Sequence, residues 1–217
     1  VNEDHTGVSA IVLAAGGGSR FGGGKLLAKL GGRPIIEAVL DNLREAPVDE
    51  IVAVVGADAE RLREVCERYG VRTVANEGWE RGQSTSVLAG LRASGGRAAV
   101  VLLGDQPFVG AEAVARLVAA FAEGAKVAVA TYGGKRRNPV LFSREIWPLL
   151  EAELAGDEGA RSVLRRHPEL VVEVPCEGVG DAVDVDTRED LRRLEEMRGP
   201  LRDYKMAGEI AGSNRKT

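Results

Sequence analysis

Only two cysteines, Cys66 and Cys176, occur in the 217 residues. That is too few for a disulfide-dense scaffold, and their spacing does not make a zinc site, so a reducing compartment is the default. Histidine is equally scarce. His5 and His167 stand in no pattern with serine, cysteine or aspartate, which leaves no Ser-His-Asp or Cys-His machinery to read. No apolar run reaches the length of a membrane span. The stretch Val1 to Gly7 is polar without a hydrophobic signal core, so a cytoplasmic protein with no membrane partner is expected. An excess of base is also missing: 29 Lys and Arg face 33 Asp and Glu, a formal charge of −4. Nothing there supplies the field that nonspecific nucleic-acid binding needs, and no nucleic-acid partner is expected. No Pro, Ser or Gly linker and no internal repeat divides the chain. One domain is therefore expected over 8–198, between a flexible start (1–7) and a weakly packed tail (199–217).

With 44% hydrophobic and 29% charged residues, the chain has the makings of a globular core. Val8 to Ala14 is a short apolar run ending in glycines and reads as a strand buried on both faces. Ile35, Ile36, Val39, Leu40 and Leu43 repeat at helical spacing, with Pro34 suited to the first turn. The rhythm recurs: strand at Ile51 to Val55, helix at Ala59 to Tyr69, strand at Val71 to Ala75, helix after Ser84, strand at Ala98 to Leu103. Such alternation implies a mostly parallel sheet covered by helices, an α/β fold. Beyond Asp105 a helix at Ala113 to Phe121 and a strand at Lys126 to Thr131 continue it. Then Gly133-Gly134 and a basic loop, Lys135 to Asn138, break the rhythm. A short strand at Pro139 to Phe142, helices at Arg144 to Leu154 and Ala160 to Arg166, a strand at Leu170 to Val174 and a last helix capped by Thr187 follow, with mixed strand directions.

Four segments carry candidate chemistry. Leu13-Ala14-Ala15-Gly16-Gly17-Gly18-Ser19-Arg20, continuing to Lys25, follows the first strand; its glycines let backbone N–H groups approach anionic oxygens, and Arg20 and Lys25 add charge. A helix terminus alone contributes roughly 0.3–1 kcal/mol toward an anion, so the two cations must share the task. The loop is neither a Walker A motif, since Leu26 follows Lys25, nor a dinucleotide fingerprint, since Phe21 stands where the third glycine belongs. The competing reading is a mobile surface loop. Gly104-Asp105-Gln106-Pro107 puts a carboxylate at the carboxyl edge of a strand, where open α/β sheets bind ligands and where Mg2+ can be held; a capping or turn aspartate is the plainer alternative. Asp184-Val185-Asp186-Thr187 can supply a second carboxylate from another strand end. Alternation puts Asp184 and Asp186 on the same side, so spacing does not choose between them. Gly82-Gln83-Ser84-Thr85-Ser86 opens a helix and can meet phosphate or sugar oxygens, or Ser84 is simply its cap. Asn76 and Trp79 precede it.

Taken in chain order, these segments together with Asn138-Pro139-Val140-Leu141-Phe142 and Gly156-Asp157 through Arg161 resemble the MobA-like nucleotidyltransferases, most closely the molybdenum cofactor cytidylyltransferases among them. The resemblance spans about Val8 to Met197. It implies a Rossmann-like nucleotidyltransferase fold with a less regular acceptor-side insertion, and an Mg2+-dependent transfer of CMP from CTP to the phosphate of molybdenum cofactor. It further implies that Leu13 through Ser19, with Gly82, Ser84 and Ser86, bind the nucleotide. Arg20 and Lys25 hold the triphosphate and act with Asp105 in catalysis, Asp105 with Asp184 or Asp186 binds metal, and Asn138, Pro139, Asp157 and Arg161 face the acceptor. A molybdenum hydroxylase is the implied client. Leu-Ala-Ala-Gly favours CTP over GTP. Another phosphorylated acceptor (a sugar phosphate, methylerythritol phosphate or phospholactate) and a non-catalytic nucleotide-binding or cofactor-delivery role are the alternatives.

Overall fold

The apolar runs form the middle of one sheet in the computed structural model, which describes residues 6–198. The expected tail (199–217) and the first five residues of the expected flexible start lie outside the described residues; Thr6 and Gly7 donate their N–H groups to the Asp49 carboxylate at 3.2 and 2.6 Å. The strands are β1 (Val8–Ala14), β2 (Lys29–Leu30), β3 (Arg33–Pro34), β4 (Glu50–Val55), β5 (Arg72–Ala75), β6 (Ala98–Leu103), β7 (Val127–Tyr132), β8 (Lys135–Ser143) and β9 (Val171–Pro175). Seven of them make a sheet in the order β5-β4-β1-β6-β8-β7-β9. Only β8 runs against its neighbours, as the mixed directions expected of this half required. Strands β2 and β3 form a separate small hairpin.

Helices α1 (Ile35–Arg44), α2 (Ala59–Arg68) and α4 (Ala111–Ala122) cover one face, and α3 (Gln83–Ala93), α5 (Trp147–Glu153) and α6 (Arg161–Arg166) the other. The pleat explains both cores: Ala10 and Val12 of β1 meet α1 and its neighbours, whereas Ile11 points to Val87 and Leu91 of α3. Each fully buried aliphatic side chain here contributes about 1.5–3 kcal/mol of transfer free energy. Strand β1 has β4 on one side and β6 on the other. The chain leaves β1 by way of β4 and β5, then returns across it to β6. That reversal opens a crevice at the carboxyl ends of β1 and β6, the general ligand position in such sheets.

A third, smaller core sits at that edge. Phe21, Leu30, Ile35, Phe108, Val185 and Leu194 pack together, the last from helix α7 (Arg188–Arg198). Helix α7 starts at a reciprocal cap: Thr187 N–H donates to Asp190 Oδ2 at 2.8 Å, and Asp190 N–H to Thr187 Oγ1 at 3.1 Å.

Several local expectations are corrected. Pro34 is the N-cap of α1 and part of β3 rather than a first-turn residue. Ser84 does not cap α3; Gly82 stands there, and Ser84 is buried in the first turn. Lys135 to Asn138 is not a loop but the outer half of β8, because Gly133 and Gly134, both at positive φ, close a tight hairpin between β7 and β8. Asp184 and Asp186 lie on no strand. Their segment crosses the end of the sheet and is held by Asp181 N–H to Phe108 O at 2.9 Å and Val185 N–H to Asp105 O at 3.0 Å.

Candidate active site

The crevice at the ends of β1 and β6 is a cavity of about 330 Å³. One wall is the glycine loop, with Leu13, Ala14, Ala15, Gly16 and Gly18 lining it and Lys25 and Leu26 at its far end. The rest of the lining comes from Leu103 at the end of β6 and Asp105 just after it, and from Trp79, Glu80, Gly82, Gln83 and Ser86 around the start of α3. Asp157 completes the rim. Of the residues expected to bind the nucleotide, Gly17, Ser19, Arg20 and Ser84 do not line this cavity. Nor do the expected acceptor residues Asn138, Pro139 and Arg161. The pairing of Val101 with Val140 puts Asn138 and Pro139 beside the end of β6, outside the lining, and Arg161 is exposed on α6.

The charged residues converge beside the cavity. Lys25 Nζ pairs with Asp105 Oδ2, and it lies 3.6 Å from Asp186 Oδ1. Arg20 NH1 holds the other oxygen of Asp186 at 3.0 Å. Gln106 Nε2 donates to Asp184 Oδ1 at 2.7 Å. Thus both cations expected to face a triphosphate lie on carboxylates, Asp105 and Asp186; Asp184, the third aspartate expected to bind metal, is held by Gln106 beside this network. Burial, together with the nearby Asp105 and Asp186 carboxylates, raises the Asp184 carboxyl above its ordinary range, an effect the Gln106 bond only partly offsets.

The third core explains this convergence. Phe21 follows Arg20, Val185 lies between the two aspartates, and Phe108 is three residues past Asp105; all three are buried in the same cluster. Arg188 stacks over the Phe21 ring at 4.9 Å to the centroid. From the other side, Asn42 Nδ2 on α1 donates to Pro107 O and Val109 O at 3.2 and 2.9 Å, fixing the loop after β6. Arg20, Asp105, Asp184 and Asp186 are therefore carried by neighbours anchored at the same place, while Lys25 is carried by Leu26 of the larger core.

Around α3 the geometry is equally determined. Asn76 Nδ2 donates to Thr85 Oγ1 and Ser86 Oγ, each at 2.9 Å, and Asn76 Oδ1 accepts from Gly78 N–H at 3.0 Å. Gly82 has φ +112°, and a Cβ there would fall 2.4 Å from Gly156 C and 2.8 Å from Asp157 Oδ1. The segment around Asp157 thus rests directly on the helix start. Gln106 was legible only as part of a motif; its role in holding Asp184 was not, because the partner lies 78 positions away.

Two or three carboxylates with water and phosphate oxygens are the donor set a hard divalent cation prefers. Among the described residues no three acidic, histidine or cysteine side chains enclose an ion by themselves. Asp105, Asp184 and Asp186 are hard oxygen donors of the kind that hold a divalent cation together with water and substrate oxygens. Among the described residues, no helix is long and apolar enough to cross a membrane.

A family model described as a MobA-like NTP transferase domain matches residues 10–171. Nicotine blue oxidoreductase of Paenarthrobacter nicotinovorans is 33% identical over 199 residues, covering 86% of this chain and 96% of the relative. A probable molybdenum cofactor guanylyltransferase of Thermococcus kodakarensis is 32% identical over 199 residues, 86% of this chain and 94% of the relative. The structure of Rv0371c from Mycobacterium tuberculosis H37Rv in complex with manganese has a TM-score of 0.76 at 28% identity and covers 89% of this chain and 100% of that one.

Proposed function

The chain belongs to the MobA-like NTP transferase family, and from that premise we propose that it transfers CMP from CTP to the phosphate of molybdenum cofactor, releasing pyrophosphate. The observation that carries this reading is the single charge network of Arg20, Lys25, Asp105 and Asp186 at the wall of the cavity between β1 and β6. An acceptor phosphate oxygen attacks the α-phosphorus in line, the bond to the β-phosphate breaks, and no covalent enzyme intermediate forms. Both reactants are anions, so the protein's task is alignment and charge neutralisation.

In this reading Asp105 with Asp184 or Asp186 holds Mg2+, which when bound supplies positive charge to the phosphate oxygens. The backbone of Leu13 to Gly18 and the start of α3 hold the nucleoside. Lys25 and Arg20 exchange part of their carboxylate pairing for the β- and γ-phosphates and stabilise the departing pyrophosphate. Asp157, resting on Gly82, contacts the acceptor where it meets the nucleotide. Asn138, Pro139 and Arg161 extend the acceptor side outward. The finished cofactor is suited to hand-over to a molybdenum hydroxylase.

The Leu-Ala-Ala-Gly loop supports CTP over GTP; the Thermococcus relative's name supports the molybdenum cofactor as acceptor class but names a guanylyl donor for that relative. Pyrophosphate release tests the whole reading: CTP and GTP are each offered with Mg2+ and a panel of molybdenum cofactor, sugar phosphate, methylerythritol phosphate and phospholactate. Release with CTP and molybdenum cofactor alone is the expected result. Release only with another acceptor, or only with GTP, overturns the specificity. An oxidoreductase role, in the sense of the Paenarthrobacter relative's name, predicts electron transfer without pyrophosphate.

A further inference from the structure

The loop contains more glycine than phosphate contact requires, and Trp79 explains part of the excess. A Cβ on Gly17 would lie 3.1 Å from Trp79 Cη2 and 3.3 Å from Cζ3, and one on Gly56 would lie 2.8 Å from Trp79 Cγ and 2.5 Å from Ala15 O. Neither Gly17 nor Gly56 has a left-handed φ, so backbone conformation does not demand glycine there. Space does. The indole spans from Gly56, just after β4, at its Cγ end to Gly17 of the loop at its benzo end, and a side chain at either position would press on it. The same indole lines the cavity, half-buried. One residue further on, a Cβ on Gly18 would lie 3.1 Å from Lys25 Cβ. Successive loop residues thus abut an aromatic ring and the aliphatic stem of a lysine that also lines the cavity, and a base joined to a triphosphate needs a surface and a charge of those two kinds. Between them and β1, a Cβ on Gly16 would meet nothing within 4 Å, so the cavity is open where the loop backbone is bare.

Resting on the nucleotide-transfer reading above, we propose that Trp79 is a nucleobase-binding residue, forming the wall against which the base of the incoming nucleotide packs. Base–aromatic stacking is tolerant of base identity because every base has a π-face. The wall therefore supplies affinity, and selection among bases falls to hydrogen-bonding groups of the loop and of α3. The turn that presents the indole is fixed by Asn76 through Gly78 N–H and Thr85 Oγ1, so the ring is in place before the ligand arrives.

The chain has two tryptophans, and Trp147 is buried outside the cavity lining, with Arg144 4.5 Å above its ring. In a Trp147→Phe protein, Trp79 emission reports the cavity alone. Titration with CTP and Mg2+ is expected to change that emission saturably, and inorganic tripolyphosphate, which has no base, is expected to leave it unchanged while competing with CTP. Trp79→Phe is expected to bind CTP within a few-fold of the parent, and Trp79→Ala on the order of 10- to 100-fold more weakly, with KM raised and turnover nearly unchanged. Should Trp147→Phe not fold, as a circular dichroism melt would reveal, the native protein is titrated with Trp79→Phe as its blank. Calorimetric binding of CTP or GTP without any change in Trp79 emission, or full CTP affinity in Trp79→Ala, overturns the proposal. A response to GTP and none to CTP keeps the wall and overturns the cytidine reading.

Discussion

Replacing Asp105 separates what the charge network contributes to catalysis from what it contributes to stability. The Lys25 and Asp105 side chains are only 15% and 17% exposed, so removing the carboxylate leaves a largely buried ammonium. Breaking a fully buried pair costs about 3–5 kcal/mol. Lys25 retains Asp186 at 3.6 Å and some contact with water, which lowers the expected loss for Asp105→Asn to about 1–3 kcal/mol. A domain with an ordinary stability of about 5–15 kcal/mol remains folded at that loss. Turnover responds differently. Removing a group that stabilises transition-state charge lowers it by on the order of 10²–10³-fold, about 2.7–4 kcal/mol, for Asp105→Asn and Asp105→Ala alike. The assay is pyrophosphate release at saturating CTP, Mg2+ and acceptor, with urea unfolding of the same preparations alongside. Adding Lys25→Met to Asp105→Asn is expected to cost less stability than the separate changes together, because the orphaned charge disappears. Near-normal turnover of Asp105→Ala under saturating conditions would refute the assigned role, and full additivity in the double variant would refute the pair.

Three further outcomes follow from the geometry. Asp184 has its pKa raised in the folded state by burial and by Asp105 and Asp186; its ionisation therefore opposes folding. Stability is lost as pH climbs from the ordinary aspartate value of about 3.9 through the raised one. Asp184→Asn should match the parent in acid and exceed it above that window, as urea unfolding across pH without divalent metal will measure. Gly82→Ala puts a Cβ 2.4 Å from Gly156 C at a φ of +112°; it should destabilise by about 1–3 kcal/mol and raise KM for the acceptor more than for CTP. Gln106→Leu removes the donor to Asp184 Oδ1 and should raise the Mg2+ concentration for half-maximal rate several-fold while leaving KM for CTP nearly unchanged. Equal half-maximal Mg2+ in parent and variant would argue against Gln106 as a positioning residue.

The sheet and helices were legible because burial on two faces or one writes itself into the sequence. Val8 to Ala14, Ser9 apart, and Ala98 to Leu103 are apolar runs because helices cover both sides of β1 and β6. Strand β8 was half hidden, since Lys135, Arg136 and Arg137 project to water and Arg136 pairs with Glu173 at 2.7 Å. The signal that identifies it is Gly133-Gly134, a two-residue hairpin turn; Gly31-Gly32, also at positive φ, closes the β2–β3 hairpin in the same manner. Charge had masked the strand, and glycine had marked its turn.

The site divides along a different line. Its chemical residues stood out individually, as Arg20, Lys25, Asp105 and the pair Asp184 and Asp186, because charged groups beside glycines or apolar runs are conspicuous in sequence. Their convergence was not written there, for it rests on apolar contacts among residues that carry no chemistry. Phe21, Phe108, Val185 and Leu194 come from four separate stretches of chain and share one small core. No periodicity links them, since none belongs to the repeating face of a helix that packs on the sheet, apart from Leu194 on α7. This core is where placement of the charges is decided: the buried Val185 side chain and the bond from its N–H to Asp105 O hold both flanking aspartates. Shortening Val185 to Ala opens a cavity at the junction of the three segments. The physics of such a change is a stability loss of about 1–3 kcal/mol from lost burial and the void left behind, together with looser placement of Asp184 and Asp186. A variant that loses stability without any change in Mg2+ dependence would show that the hydrogen bond to Asp105 O suffices and that the apolar anchor serves the fold alone.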